Sequence, residues 1–348
     1  MSVRLYYPEP LTGIEVHPIF HYLYPPANKG GGLFRDVKYS FFKEAETPDS
    51  KSADAIVLVN NFAKELDAEA KEYLKKYADT AERLSKPLFI FSCGDFTDSL
   101  RFDSRIWVFR QSLYKSSMES RDICIPTTTE DPPKELLFIR NKNKKPIVAF
   151  CGMGGFSSVR SWIKYHAENL FYECVALLKP EMRAKKLGVY WRRAMMRACE
   201  RSPLVETNFI VRRSFSGHEK SIELNPKQAR REYLETTANA DFVLAPKGDG
   251  NYSNRFLKTL AFGRIPVLVD TDVVLPLEEK IDYSKIIVRV PMRQVENTAN
   301  YICEFYGALT EEEWKNRQSL ARETFEQYLK QDVFFRNFFT KEFSNKHV

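Results

Sequence analysis

Eight residues, Pro246-Lys-Gly-Asp-Gly-Asn-Tyr-Ser253, carry the chain's most specific chemical signal. They join an apolar strand, Asp241-Phe-Val-Leu-Ala245, to a helix expected over Asn254 to Phe262. Gly248 and Gly250 permit positive φ and close approach of a ligand to the backbone. The helix that follows offers free N–H groups and the positive end of its dipole, a combination that binds phosphate. Lys247 and Arg255 add charge, and the Arg255 guanidinium can grip two phosphate oxygens at once. Asn251 or Ser253 is placed to cap the helix or to donate to a phosphate. The run is no Walker A sequence, and Gly248-x-Gly250-x-x-Ser253 falls short of the dinucleotide fingerprint. A plain glycine turn is the alternative on these residues alone.

Proton transfer needs a base, and Asp95 is the first candidate. It follows the apolar run Pro87 to Phe91, and open parallel sheets place ligands at the carboxyl ends of their strands. A helix cap is its competing role. Asp98, His17, His21 and His218 are the rival bases. Two further strand ends could face the same anion: Gly152-Met-Gly154-Gly155, with Gly154 against the phosphates, and Arg212-Arg213. Metal chemistry has little footing. His17 and His21 are four apart, but Pro18 between them argues against a helical metal pair. The six cysteines lie far apart, form no C-x-x-C, and read as reduced, mostly buried thiols.

The elements that must position these groups alternate along the chain. Ala55-Ile-Val-Leu-Val59, Pro87 to Phe91 and Ile106-Trp-Val-Phe109 read as buried strands. Between the first two, Leu66, Ala70, Tyr73, Leu74, Tyr77, Ala81 and Leu84 recur at helical spacing. A breaker-rich stretch with Pro126, Pro132 and Pro133, then the charged Asn141 to Lys145, marks a domain boundary. A second series follows: strands at 146–151, 208–211, 241–245, 265–269 and 286–290, with helices at 158–178, 191–199 and 226–239. Thr310-Glu-Glu-Glu313 is a capping box that opens another helix. This pattern predicts two tandem Rossmann-like α/β domains, 1–140 and 141–328. The tail, 329–348, holds Val333-Phe-Phe335 and Phe338-Phe339 beside Lys330, Arg336 and Lys341. It reads as a helix packing back toward the first domain, with a membrane-surface helix as the second reading.

The 348 residues, 43% hydrophobic and 14% aromatic, exclude a disordered chain and suffice for two cores. A formal charge of +7, with basic clusters such as Arg192-Arg193 scattered among acids, gives no nucleic-acid stripe. An anionic small substrate suits it better, and the clusters read as solvated faces. No apolar run nears the 18 or so residues of a membrane span, and the N-terminus has no signal-peptide apolar region. The expected location is cytosolic, with peripheral membrane contact as an option.

The segment Ala240 to Val269, its continuation Asp270-Thr-Asp-Val-Val-Leu-Pro276, and Ile281-Asp-Tyr-Ser-Lys-Ile-Ile-Val288 resemble the signature region of exostosin-like glycosyltransferases, family 47. Pro146-Ile-Val-Ala-Phe-Cys-Gly152 and Phe209-Ile-Val-Arg-Arg213 resemble its earlier landmarks. The resemblance implies a GT-B fold, two Rossmann-like domains facing across a cleft. It also implies inverting sugar transfer from a nucleotide-sugar, UDP- rather than GDP-linked, to a glycan or glycolipid acceptor, with no cofactor and no divalent metal. The donor belongs in the second domain and the acceptor in the first. The family shows Arg-x-x-Glu in the helix after the glycine loop, the Glu binding the donor ribose. Arg255 matches, but Lys258 occupies the Glu position, and a lysine cannot accept hydrogen bonds from ribose hydroxyls. Lys258 therefore motivates an alternative, a catalytically weakened nucleotide- or glycan-binding member. A GDP-sugar-dependent fucosyltransferase of the same fold is a further one. Asp270-Thr-Asp272 looks like the metal-holding DxD of a different transferase fold and is read as a strand-end turn.

Overall fold

The computed structural model describes residues 3–25, 40–63, 65–95, 102–156, 158–213 and 225–342. Among them the first sheet holds β1 (Leu5–Tyr6), β2 (Glu46–Thr47), β3 (Ala55–Asn61), β4 (Leu88–Ser92), β5 (Ile106–Arg110) and β6 (Asp122–Cys124). Their order is β2-β1-β3-β4-β5-β6, and every neighbouring pair is parallel. β4 is buried at all five positions, because a parallel sheet covered on both faces admits only apolar runs. Helix α1 (Phe41–Glu44) lies on one face and α2 (Ala68–Arg83) on the other. Asp67 caps α2 by accepting the Ala70 N–H at 2.8 Å, and Leu74, Ala78 and Ala81 form its buried stripe. The short strands β1, β2 and β6 carry too few residues to show a period, and sequence reading passes over them.

The second sheet holds β7 (Ile147–Met153), β8 (Glu206–Arg212), β9 (Phe242–Leu244), β10 (Ile265–Asp270) and β11 (Val288–Pro291), in the parallel order β11-β10-β9-β7-β8. Its helices are α3 (Val159–Val175), α4 (Gly188–Glu200), α5 (Pro226–Ala238), α6 (Asn254–Ala261), α7 (Thr298–Gly307) and α8 (Glu311–Thr324). The capping box at Thr310 and Glu313 is formed in both directions. The run expected as a strand from 286 follows a 3-10 turn, Tyr283–Lys285, and pairs only from Val288. The chain leaves β7 for β8 on one side and returns to β9 on the other. Strand order thus reverses between β7 and β9, the position where open α/β sheets leave a crevice for ligands.

The last helix, α9 (Gln331–Asn337), belongs to the first domain's core. Phe335 meets Phe42 at 4.9 Å and Phe109 at 5.2 Å between ring centroids. Asp332 accepts the N–H groups of Ser40 and Phe41, both at 2.9 Å, at the start of α1. Phe334, Phe335 and Phe339 are fully buried in that core, with Val333 and Phe338 partly buried beside them, as the reading of a helix packing back toward the first domain expects. Loops after β4 and β5 touch loops after β9 and β10. Two parallel-sheet α/β domains meeting at their carboxyl ends, with the C-terminal segment on the first, form a GT-B architecture.

Candidate active site at the domain interface

The glycine loop turns back on itself and docks on the first domain. Gly248 N–H donates to Tyr252 O at 2.7 Å, Gly250 N–H to Asp95 Oδ1 at 3.2 Å, and Asn251 N–H to Ser112 Oγ at 2.7 Å. These three donors are therefore engaged within the protein. Each already has an acceptor where the sequence suggested a donor to phosphate. Asn251 is engaged further. Its amide donates to Leu113 O and Thr271 O, and its Oδ1 accepts from Thr271 at 2.7 Å, so it clasps the two domains. Ser253 occupies the N-cap of α6; its carbonyl accepts the Phe256 N–H at 3.0 Å, but its side chain makes no capping bond to the first turn.

Lys247 is buried. It donates to Tyr114 OH and Ala184 O, both at 3.0 Å, and its ammonium lies 5.4 Å from the Tyr114 ring centroid. Burial lowers its pKa to about 8, against a smaller opposing pull from Asp249. It joins the domains rather than facing open solvent.

The free positive charge lies one strand away. Arg255 crosses the end of β7, donating from Nε to Cys151 O at 3.3 Å and stacking 4.6 Å from the Phe150 ring centroid. A Cβ on Gly152 would stand 2.2 Å from the Arg255 guanidinium, so only glycine lets that side chain pass. Arg192, on α4, donates to Met153 O at 3.2 Å, while its buried Nε has no hydrogen-bond partner. Burial, with Arg255 nearby, pushes the Arg192 pKa down to about 9, and Asp249 and Asp95 only partly offset that. Burial lowers Arg255 likewise. Among the described residues neither guanidinium has a carboxylate at ion-pair distance. Arg192 is 7% exposed, not part of a solvated cluster. The available signal was its position: in the helix Gly188–Glu200, Trp191, Ala194, Met195 and Met196 around it are all buried.

The α4 start abuts the glycine loop. A Cβ on Gly188 would fall 2.3 Å from Gly248 O and 2.6 Å from Lys247 O. Gly154 lies beneath, its N–H donating to Arg212 O at 3.1 Å and its O accepting from Arg193. Arg212 itself turns away to pair with Glu232 at 2.8 Å, which explains why it does not join the anion-facing group. Arg213 is exposed at the end of β8. Lys258 lies 5.2 Å from the Tyr233 ring centroid, and burial lowers its pKa.

Asp95 stands at the rim of this cleft, open to solvent on one side. Desolvation raises its pKa and Asp249 adds to the rise, while the Gly250 N–H and Arg192 oppose it. Asp98 and His218 lie outside the described residues. His17 is no base for an acceptor. It is buried, stacked on Phe91 at 4.3 Å, and burial depresses it to about 3. His21 faces Val16 O at 3.3 Å. Asp272 sits in a left-handed turn with φ of 60°, and its carboxylate accepts the Ser116 N–H at 2.9 Å and hydroxyl at 2.5 Å. Asp270 lies 4.0 Å from Arg289. Among the described residues no three His, Cys, Asp or Glu side chains group as metal ligands, and no helix is long and apolar enough to cross a membrane.

Residues 93–304 match the Exostosin GT47 domain. The chain is 33% identical over 106 residues to the Exostosin-1 homolog of Caenorhabditis elegans, covering 30% of this chain and 27% of that protein. It is 41% identical over 63 residues to Exostosin-1 of Drosophila melanogaster, covering 18% and 8%. The chain thus aligns with well under two thirds of either relative. Among solved structures, Anabaena HepE in complex with UDP is similar over 85% of this chain and 79% of that one, at 11% identity and a TM-score of 0.34. The domain match takes in more than half of the chain and includes both Asp95 and Arg255: this chain belongs to the exostosin family, glycosyltransferase family 47.

Proposed function

We propose that this chain moves a sugar from a nucleotide-sugar, UDP-linked in preference to GDP-linked, to a hydroxyl of a glycan or glycolipid, with inversion and without a divalent metal. One observation carries the reading. Arg192 is buried and Arg255 half-buried near it at the β7/β9 switch point, with Asp249 and Asp95 in range but no carboxylate at ion-pair distance among the described residues. Two such cations suit a dianionic diphosphate, which would recover the stability their burial costs. The uncapped start of α6 adds N–H donors for the leaving group. Asp95, on the opposite wall, takes the acceptor proton as the hydroxyl attacks the anomeric carbon. The C–O bond to the diphosphate breaks on the far side, and the nucleotide leaves with that electron pair.

Lys258 favours a second reading, a member that binds donor nucleotide with little turnover, since its ammonium offers a ribose no acceptor. Titration calorimetry with UDP and GDP in excess EDTA, with a donor-hydrolysis assay beside it, separates the two. Binding with turnover supports the transferase, and binding alone supports the second reading. Absence of nucleotide binding overturns both. Turnover lost in EDTA and restored by Mn²⁺ overturns metal independence and returns Asp270 and Asp272 to consideration.

A further inference from the structure

Helix α3 is the least embedded helix of the second domain among the described residues. Of its seventeen residues only Tyr165 and Asn169 are buried, and it rests mainly on the 3-10 segment Pro180–Lys185 rather than on the sheet. Its outer face is mostly apolar, broken by the exposed His166, whose ring centroid lies 4.4 Å from that of Trp162. Val159, Ile163 and Leu170 fall on one line of the helix, at exposures of 74%, 55% and 66%. Leu177 and Leu178 extend that line past the helix end, at 78% and 89%. Trp162 and Phe171 flank it, both about half exposed. A contiguous apolar surface of this kind on a chain otherwise rich in charge marks a contact site.

The charge around it selects the partner. Arg160, Lys164 and Lys179 are exposed along the flank; of the other basic residues up to 186, Lys186 is buried and Arg183 is paired with Glu173. Glu173 also pairs with Lys186, and Glu168 faces Lys164 at 3.5 Å. A second copy of the chain fits poorly, because a symmetric contact would bring two basic flanks together. An anionic lipid surface fits both features: apolar side chains and an exposed tryptophan enter the acyl boundary, and basic residues meet the headgroups. We propose that α3 and the turn after it seat this protein on anionic membranes, lying in the interface plane. This assignment stands apart from the transferase reading and needs no turnover to test.

The test is co-sedimentation of the full chain with phosphatidylcholine vesicles, with and without phosphatidylserine, at low and high salt. The expected result is binding to the anionic vesicles, weakened by salt, with a blue shift in emission from Trp162. Trp191 and Trp314 are buried and Trp107 is half-buried, so the part of the shift that a Trp162→Phe control removes is the part that belongs to Trp162. The double variant Ile163→Asp, Leu170→Asp should lose roughly tenfold or more in vesicle binding. Both side chains are exposed, so its melting temperature should hold. The proposal is overturned if the wild-type chain ignores both vesicle types, or if the variant binds as well as wild type. Self-association in solution that the variant abolishes would assign the face to a second copy and overturn it equally.

Discussion

Arg192 stands on the inner flank of α4 with one hydrogen bond through Nη1 and an unpartnered Nε. A buried guanidinium so placed weakens the empty fold and strengthens the hold on an anion that joins it. Arg192→Met should therefore keep or raise the melting temperature while UDP affinity falls by about 1.5–3 kcal/mol, the worth of a charged hydrogen bond. A drop in melting temperature with unchanged affinity by calorimetry would make Arg192 a packing residue. Asp95 gives the matching prediction for rate. Asp95→Asn keeps the oxygen that accepts the Gly250 N–H and loses basicity, so turnover should fall about 10²–10⁴-fold with donor affinity nearly unchanged. Because desolvation raises its pKa, wild-type kcat/KM should be full above that pKa and lost as pH falls through it, at a higher pH than an ordinary aspartate would give. Near-normal turnover in Asp95→Asn removes it from the mechanism.

At the scale of elements, α4 and the glycine loop act as one unit because Gly188 permits backbone contact between them. Gly188→Ala would drive a methyl into Gly248 O and Lys247 O, and neither backbone atom can yield without parting helix from loop. The expected cost is about 1–3 kcal/mol of stability, with weaker UDP binding because Arg192 moves with α4. Gly307→Ala is the control. A Cβ there meets nothing within 4 Å, so the melting temperature should stay or rise slightly. Equal effects from both substitutions would show that the contact at Gly188 does not hold the site. The sequence pattern placed the glycine loop between a strand and a helix, as found. It left the loop's partners open, because Gly188 and Gly248 are sixty residues apart and no periodicity links them.

At the scale of the molecule, the two domains are tied twice, by the C-terminal segment and by the loops of the cleft. Phe335 fills the first domain's aromatic core from the far end of the chain, and Gln331 bonds Thr128 at 2.9 Å and Pro126 O at 3.1 Å in the linker. Phe335→Ala should cost about 3–5 kcal/mol, the usual result of emptying a buried phenyl site. The loss should appear in the first domain, read as earlier exposure of Trp107, with nucleotide affinity retained in the second at low temperature. A melting curve identical to wild type would mean that the tail merely rests on that core.

The sequence by itself determined the buried strands, the amphipathic helices, the capping box at Thr310, the glycine loop ahead of α6 and the carboxylate past β4. Each depends on residues within a few positions of one another, where the periods of two and 3.6 act directly. Only the tertiary structure decided which polar groups remain free. The Asn251 N–H finds its acceptor at Ser112, 139 residues away, Asp272 finds Ser116, and the aromatic tail finds Phe42. Arg192 is distinguished from Arg212 in the same way, since Glu232 neutralises one and no described carboxylate reaches the other. Hydrogen bonds and counter-charges are settled by proximity in space, and burial then sets what each unpaired charge is worth.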